Sequence, residues 1–282
     1  MFKRKSRIGI LIGLLFIAVL AVLFGVNSKP VHAMLVDYAN MEQIAPNVYT
    51  EPSVESDRKL GLLAAVTSSE DRIAAVFGEK SSTSKIIYVE SDQGLRRYAE
   101  NPTGQTYYYP WQNYIVIGPE GMNENVLSHE VAHAEFRERL HNKNKVPVWF
   151  DEGLAAMVDG RFQGSRTVWE RMTDKGKVPV NFEQLDTHQA FSYGTEQSGI
   201  NYNLACYEVT RWYTLSGQTG LIRLIERLND GEDFAEIYPL IEKEAEARLN
   251  SPITPTVANL LEIKSFSYFP MIVLKYDEST IF

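Results

Sequence analysis

His129-Glu130-Val131-Ala132-His133 restricts this chain more than any other feature of it. Residues four apart on a helix stand one above the other, so two imidazoles at that spacing can reach a single metal ion. Glu130 sits about 100° around such a helix from His129, beside the ion without being its obvious ligand. The apolar periodicity predicts a helix from Asn123 to about His141, with Asn123 as its N-cap. Cys206 is the single cysteine, so the chain can build neither an internal disulfide nor a cysteine zinc cluster. Any metal site must use His, Asp and Glu.

A third ligand is predicted on the following helix, Pro147 to Val158, where Glu152 lies 19 positions after His133. The six residues Asn142 to Pro147 let the chain reverse, so this helix can run back beside the first. Gly153 leaves room for a neighbouring helix, and Trp149 with Phe150 can hold the pair by burial. Asp151 is the competing ligand, rotated by about 100°. Two histidines and one carboxylate leave zinc a fourth position for water, the mark of a catalytic site.

His129-Glu130-x-x-His133 with Glu152 inside Trp-Phe-Asp-Glu-Gly-Leu-Ala resembles the gluzincin zinc metallopeptidases, specifically the small peptidase-MA-like domains, over roughly Tyr114 to Ile241. The resemblance implies a zincin-like fold in which His129, His133 and Glu152 hold Zn2+ and Glu130 is the general base. It implies a tyrosine on a later helix that stabilises the oxyanion; Tyr202 is the choice, with Tyr193 and Tyr207 as rivals. Asn113 to Ile117 resembles the edge strand along which such enzymes align an extended substrate. Aminopeptidases of this clan hold the substrate amine with a Gly-x-Met-Glu-Asn element well upstream of the zinc helix. Gly121-Met122-Asn123-Glu124-Asn125 abuts that helix, so an endopeptidase fits better than an aminopeptidase.

The rest of the chain reads as α+β, a small mixed sheet followed by a helical half. Residues 34 to 52 lack periodicity and read as a linker, and the catalytic domain is expected over 53 to 250. Helix Arg58 to Phe77, strand Lys85 to Glu90 and a helix capped by Ser91-Asp92 lead to a hairpin, Gln105 to Tyr109 and Asn113 to Ile117. Further helices are expected at Tyr202 to Leu215, Thr219 to Leu228 and Asp233 to about Leu249. Residues 251 to 282 are an extension of unknown role, with a candidate strand at Phe269 to Tyr276. His32, His141 and His188 lack metal-ligand spacing, Cys206 reads as a small core residue, and Glu135 and Glu138 read as a solvated face with Arg137 and Arg139.

The amino terminus supplies an address. Four basic residues between Phe2 and Arg7 precede Ile8 to Val26, nineteen residues of apolar side chains and glycine. That length can cross a bilayer as a helix, and the positive-inside rule then places everything after Pro30 outside. The expectation is a single-pass cell-membrane protein with an extracytoplasmic domain; Val31-His32-Ala33 offers the alternative of cleavage near Ala33 and secretion. Beyond residue 33 the chain has 23 basic and 36 acidic residues, or −13. So acidic a body lacks the basic stripe that nucleic acid requires. The partner that the gluzincin resemblance implies is a peptide or protein substrate. The competing class is a non-catalytic envelope binding or assembly module on the same fold, against which Glu130 argues, because a structural metal site needs no proton acceptor.

Overall fold

A computed structural model describes Gly13 and residues 28–141, 146–192 and 194–250. Apart from Gly13, Ile8 to Val26 lies outside the described residues, as do Tyr193 and the candidate strand Phe269 to Tyr276. Among the described residues no helix is long and apolar enough to cross a membrane. The chain divides into a large compact unit, 1–245, and a second, Glu246–Phe282, of which the description covers only the last helical residues to Asn250. All that follows concerns the first.

The architecture is α+β. Five strands, β1 (Glu42–Ala45), β2 (Val48–Thr50), β3 (Lys85–Tyr88), β4 (Gly104–Tyr109) and β5 (Gln112–Ile117), form one sheet in the order β1-β2-β3-β5-β4. β2, β3 and β5 run parallel, while β1 and β4 are antiparallel to their neighbours. The predicted hairpin is present, with Tyr109 opposite Gln112 across Pro110-Trp111. Two expectations change here. Asn113 to Ile117 lies between β3 and β4, so the edge strand is Gly104–Tyr109. Residues 42–50 are sheet rather than linker: β1 and β2 are too short for periodicity to show, and they are joined at Pro46-Asn47, where Asn47 takes the left-handed conformation (φ 61°) that asparagine tolerates.

Side chains alternate along the strands, and both faces of the sheet are buried. Ile86, Tyr88, Ile115 and Ile117 face the main core, with Leu62 and Ile73 of helix α2 (Ser56–Phe77). Tyr49, Ile87, Tyr114 and Val116 face a second core containing Ala33 and Val36. Ala33 belongs to α1 (Ser28–Met34), and Tyr98 of α3 (Asp92–Tyr98) packs into the same core. Ala33, the candidate cleavage residue, is thus fully buried in the domain.

The helical half begins with α4 (Glu124–Arg139), where the Asn123 side chain accepts hydrogen bonds from the backbone N–H groups of Asn125 and Val126, as expected of the cap. α5 (Val148–Asp159), α6 (Ser165–Met172), α7 (Glu196–Asn229) and α8 (Phe234–Asn250) follow. α7 starts six residues before the expected Tyr202, because Thr195 caps it from a loop without apolar period. Its bend at Gly217 (φ 69°) falls in the gap predicted between two helices. Phe150 and Trp149 of α5 pack against Phe234 and Tyr238, and Tyr238 stacks on Trp212 with ring centroids 5.1 Å apart. A Cβ on Gly153 would stand 2.6 Å from the Ala205 carbonyl oxygen, so α5 and α7 meet at the closest distance their backbones allow.

Candidate metal centre

The two helices predicted to converge do so. His129 and His133 occupy successive turns of α4, and their Nε2 atoms are 3.2 Å apart. Glu152 Oε2 of α5 lies 3.4 Å from each. Ligands about 2.0–2.1 Å from a tetrahedral ion stand about 3.3 Å from one another, so this near-equilateral triangle has the dimensions of one face of such a site. Glu152 Oε2 is also buried without a hydrogen-bond partner among the described residues. A lone carboxylate oxygen in that position is costly to bury unless a cation meets it. His129, His133 and Glu152 therefore form a group that can hold a metal ion.

The opposite side of each imidazole is fixed by an aspartate. His133 Nδ1 donates to Asp151 Oδ1 at 2.8 Å, and His129 Nδ1 donates to Asp159 Oδ2 at 2.9 Å. With the proton held at Nδ1, each Nε2 turns a lone pair toward the shared point. Asp151, the rival third ligand, thus serves behind His133 rather than at the ion. An arginine grips each aspartate in turn. Arg137 Nε and Nη2 reach Asp151 Oδ2 at 2.9 and 2.6 Å, and Arg161 Nε and Nη2 reach Asp159 Oδ2 at 2.9 and 2.7 Å. Burial alone would raise the pKa of both aspartates. The histidine and arginine beside each more than offset it, so both carboxyls lie below the ordinary carboxylate value. As protonated rings His133 and His129 hold Glu152 well below it, again against burial, and the acids around them raise both histidines; as neutral rings they offer the same Nε2 atoms to a metal. With both imidazoles neutral, four carboxylates (Glu130, Asp151, Glu152, Asp159) face two guanidiniums (Arg137, Arg161), a formal −2 that one divalent cation would neutralise.

The triangle opens into a cleft of about 530 Å³. Glu130 lines it from α4, and Gln105, Thr106 and Tyr108 line it from β4. Tyr202 lines it from α7, its ring 5.9 Å from that of His129, stacked on Phe162 and edged by Phe191. Burial, then the Glu152 carboxylate, raises the Tyr202 hydroxyl pKa, so the phenol is a proton-bearing donor at neutral pH. Tyr207 packs its ring on Trp169, 4.6 Å away, and does not line the cleft. Glu124 is paired with Arg72 at 2.7 Å, so the Gly121 to Asn125 segment brings no carboxylate into the cleft.

Several residues fall elsewhere than expected. Glu135 is fully buried rather than solvated: it accepts from the backbone N–H groups of Ser81 and Ser82, from the Ser81 hydroxyl and from Arg139. Glu138 accepts from Asn113. Arg137 belongs to the metal centre. Arg137 stands one turn beyond His133 and Asp159 two turns beyond Glu152, but that spacing alone does not name the partner through which each acts. His188 lines the outer cleft. Cys206, by contrast, is buried as expected of a small core residue, its thiol pushed up to about 11 first by burial.

No protein-family model matches this chain, and no curated protein matches it. A crystal structure described as "the putative lipoprotein from Colwellia psychrerythraea" is similar over 68% of this chain, at 12% identity and a TM-score of 0.37. This chain spans 43% of that one. A likeness that weak establishes neither a common fold nor common chemistry.

Proposed function

We propose that this chain is an extracytoplasmic zinc-dependent peptidase of the gluzincin type, with a zincin-like fold and an endopeptidase preference. The observation that carries the reading is the triangle of His129, His133 and Glu152, with its unpartnered buried oxygen, opening beside Glu130 in one cleft. Zinc is the metal we assign, since two neutral imidazoles and a carboxylate around an open position are a donor set of hydrolytic zinc. When bound, it supplies Lewis-acid polarisation of the scissile carbonyl and a lowered water pKa.

The protein's own groups do the rest. Glu130 accepts a proton from the attacking water and delivers it to the leaving amine. The Tyr202 hydroxyl donates to the oxygen on which negative charge develops. β4, the edge strand beside the cleft, is the strand along which an extended peptide can lie. The described acids of the cleft are Glu130, Asp151 and Glu152, each already placed in the machinery. None is spare to hold a substrate's free amine, which favours internal cleavage. Export rests on the basic cluster and the apolar Ile8 to Val26 segment.

The test is hydrolysis of a mixed peptide library by the full chain, with and without chelator, alongside Glu130→Gln. We expect chelator-sensitive internal cleavage, and a fall of about 10² to 10⁴ in rate with zinc retained in Glu130→Gln. Absence of cleavage by the zinc-loaded chain would reject the enzyme and leave a binding module.

A further inference from the structure

The Glu130 side chain lies against the edge strand. The Thr106 hydroxyl donates to Glu130 Oε2 at 2.8 Å, and both side chains line the cleft. Two residues earlier, on the same face of β4, Gly104 has no side chain. A Cβ there would stand 2.9 Å from Glu130 Cγ, 2.9 Å from Val126 Cγ1 and 3.1 Å from Glu130 Oε1. The Glu130 side chain therefore crosses β4 at the one position without a side chain, and one of its two oxygens is tied down at the next residue on that face.

A carboxylate that must take a proton from one place and deliver it to another needs a fixed plane and one free oxygen. Otherwise rotation about its last torsion, which is broad for glutamate, spreads it over unproductive orientations. Thr106 supplies both conditions, by occupying Oε2 and leaving Oε1 to the reacting groups.

We infer that Thr106 is a positioning residue for Glu130, so that the strand which aligns the peptide also sets the orientation of the base. The inference rests on the peptidase reading above. It predicts an effect on turnover rather than on binding, because the hydroxyl is spent on Glu130 and not on the substrate. Gly104 has a matching role in leaving the space that Glu130 crosses, and any side chain there displaces the base.

The experiment compares the full chain with Thr106→Val, Thr106→Ser and Thr106→Ala, using a peptide that the wild type cleaves, with zinc content and Tm measured on each. A hydrogen bond to a charged group is typically worth about 10- to 100-fold when expressed in the transition state. The Val variant, which keeps the shape and the β-branch, should lose about that factor in kcat. Its KM should stay within about twofold and its zinc content should not change. Ser should recover most of the loss. Ala carries the same expectation should Val lower Tm. In a Glu130→Gln background, Thr106→Val should produce no further fall, since the base it orients is gone.

A Val variant with wild-type kcat overturns the proposal. So does a rise in KM at constant kcat, which would make Thr106 a substrate contact, or an equal loss in the Glu130→Gln background. A wild-type chain with no chelator-sensitive hydrolysis overturns the peptidase reading and this one with it, whereas an active wild type with a silent Val variant overturns this one alone.

Discussion

Asp151 and Glu152 are adjacent in sequence and do different work in space. The sequence favoured Glu152 as third ligand with Asp151 as its rival, because a 100° rotation has no sign until the neighbouring helix is placed. The hydrogen bonding favours Glu152, which presents an unpartnered oxygen to both Nε2 atoms, while both oxygens of Asp151 are taken, one by His133 and one by Arg137. Glu152→Ala should therefore abolish zinc binding, whereas Asp151→Asn should weaken it by about 10- to 100-fold, the usual cost of losing the partner behind a ligand. Zinc titration by calorimetry reads both, and equal losses would mean that the two carboxylates share the role. Tyr202 is separable from its rival in the same way. Tyr202→Phe should lower kcat by about 10² to 10³ with little change in KM, and Tyr207→Phe, whose ring rests on Trp169, should leave steady-state kinetics unchanged. The two histidines were legible because their spacing on one helix is itself geometry, whereas setting Glu152 apart from Asp151 needed the second helix in place. Thr106, Arg137 and Asp159 were not, because each acts through a partner on another element.

Elements with a long period, a cap or a β-branched run were read from sequence, and β1 and β2 were not. α2, α4 and α5 appear within a few residues of expectation, since three or more turns of apolar spacing and a cap leave little freedom. β1 and β2 hold four and three residues, too few to alternate visibly, although β2 sits between two partners in the sheet. Glu135 shows the same limit from the other side: Glu and Arg four apart look like a solvated pair until the 81–82 loop places two N–H groups on the carboxylate. Where two elements meet, one residue controls the fit. Gly153→Ala would drive a methyl to 2.6 Å from the Ala205 carbonyl and 2.8 Å from Val209 Cγ2. Backbone cannot yield as a side-chain tip does, so α5 must shift, at a cost of about 1–3 kcal/mol and a Tm lower by roughly 5 °C. The same shift carries Glu152 with it, so zinc affinity should fall in parallel. Thermal unfolding and zinc titration of this one variant test whether the contact between α5 and α7 sets the third ligand.

At the scale of the whole molecule, the decisive quantity is the charge enclosed between sheet and helices. The chain beyond residue 33 carries −13, and with neutral imidazoles the acids around the candidate metal site outnumber its guanidiniums by two. Surface charges are solvated and weakly coupled, but charges of one sign packed into a buried site repel in a medium that screens them poorly. A divalent ion removes that imbalance and joins α4 to α5, so it should stabilise the native state and have no comparable site in the unfolded chain. With zinc about 100-fold above its dissociation constant, the linkage is worth about 2.7 kcal/mol. Chelation should then lower Tm by roughly 5 to 10 °C, and added zinc should restore it. Glu152→Ala, which cannot hold the ion, should melt at one temperature whether or not chelator is present. Differential scanning calorimetry of both proteins decides the matter: a wild-type Tm indifferent to chelator and to zinc would show that the enclosed charge is balanced without a metal.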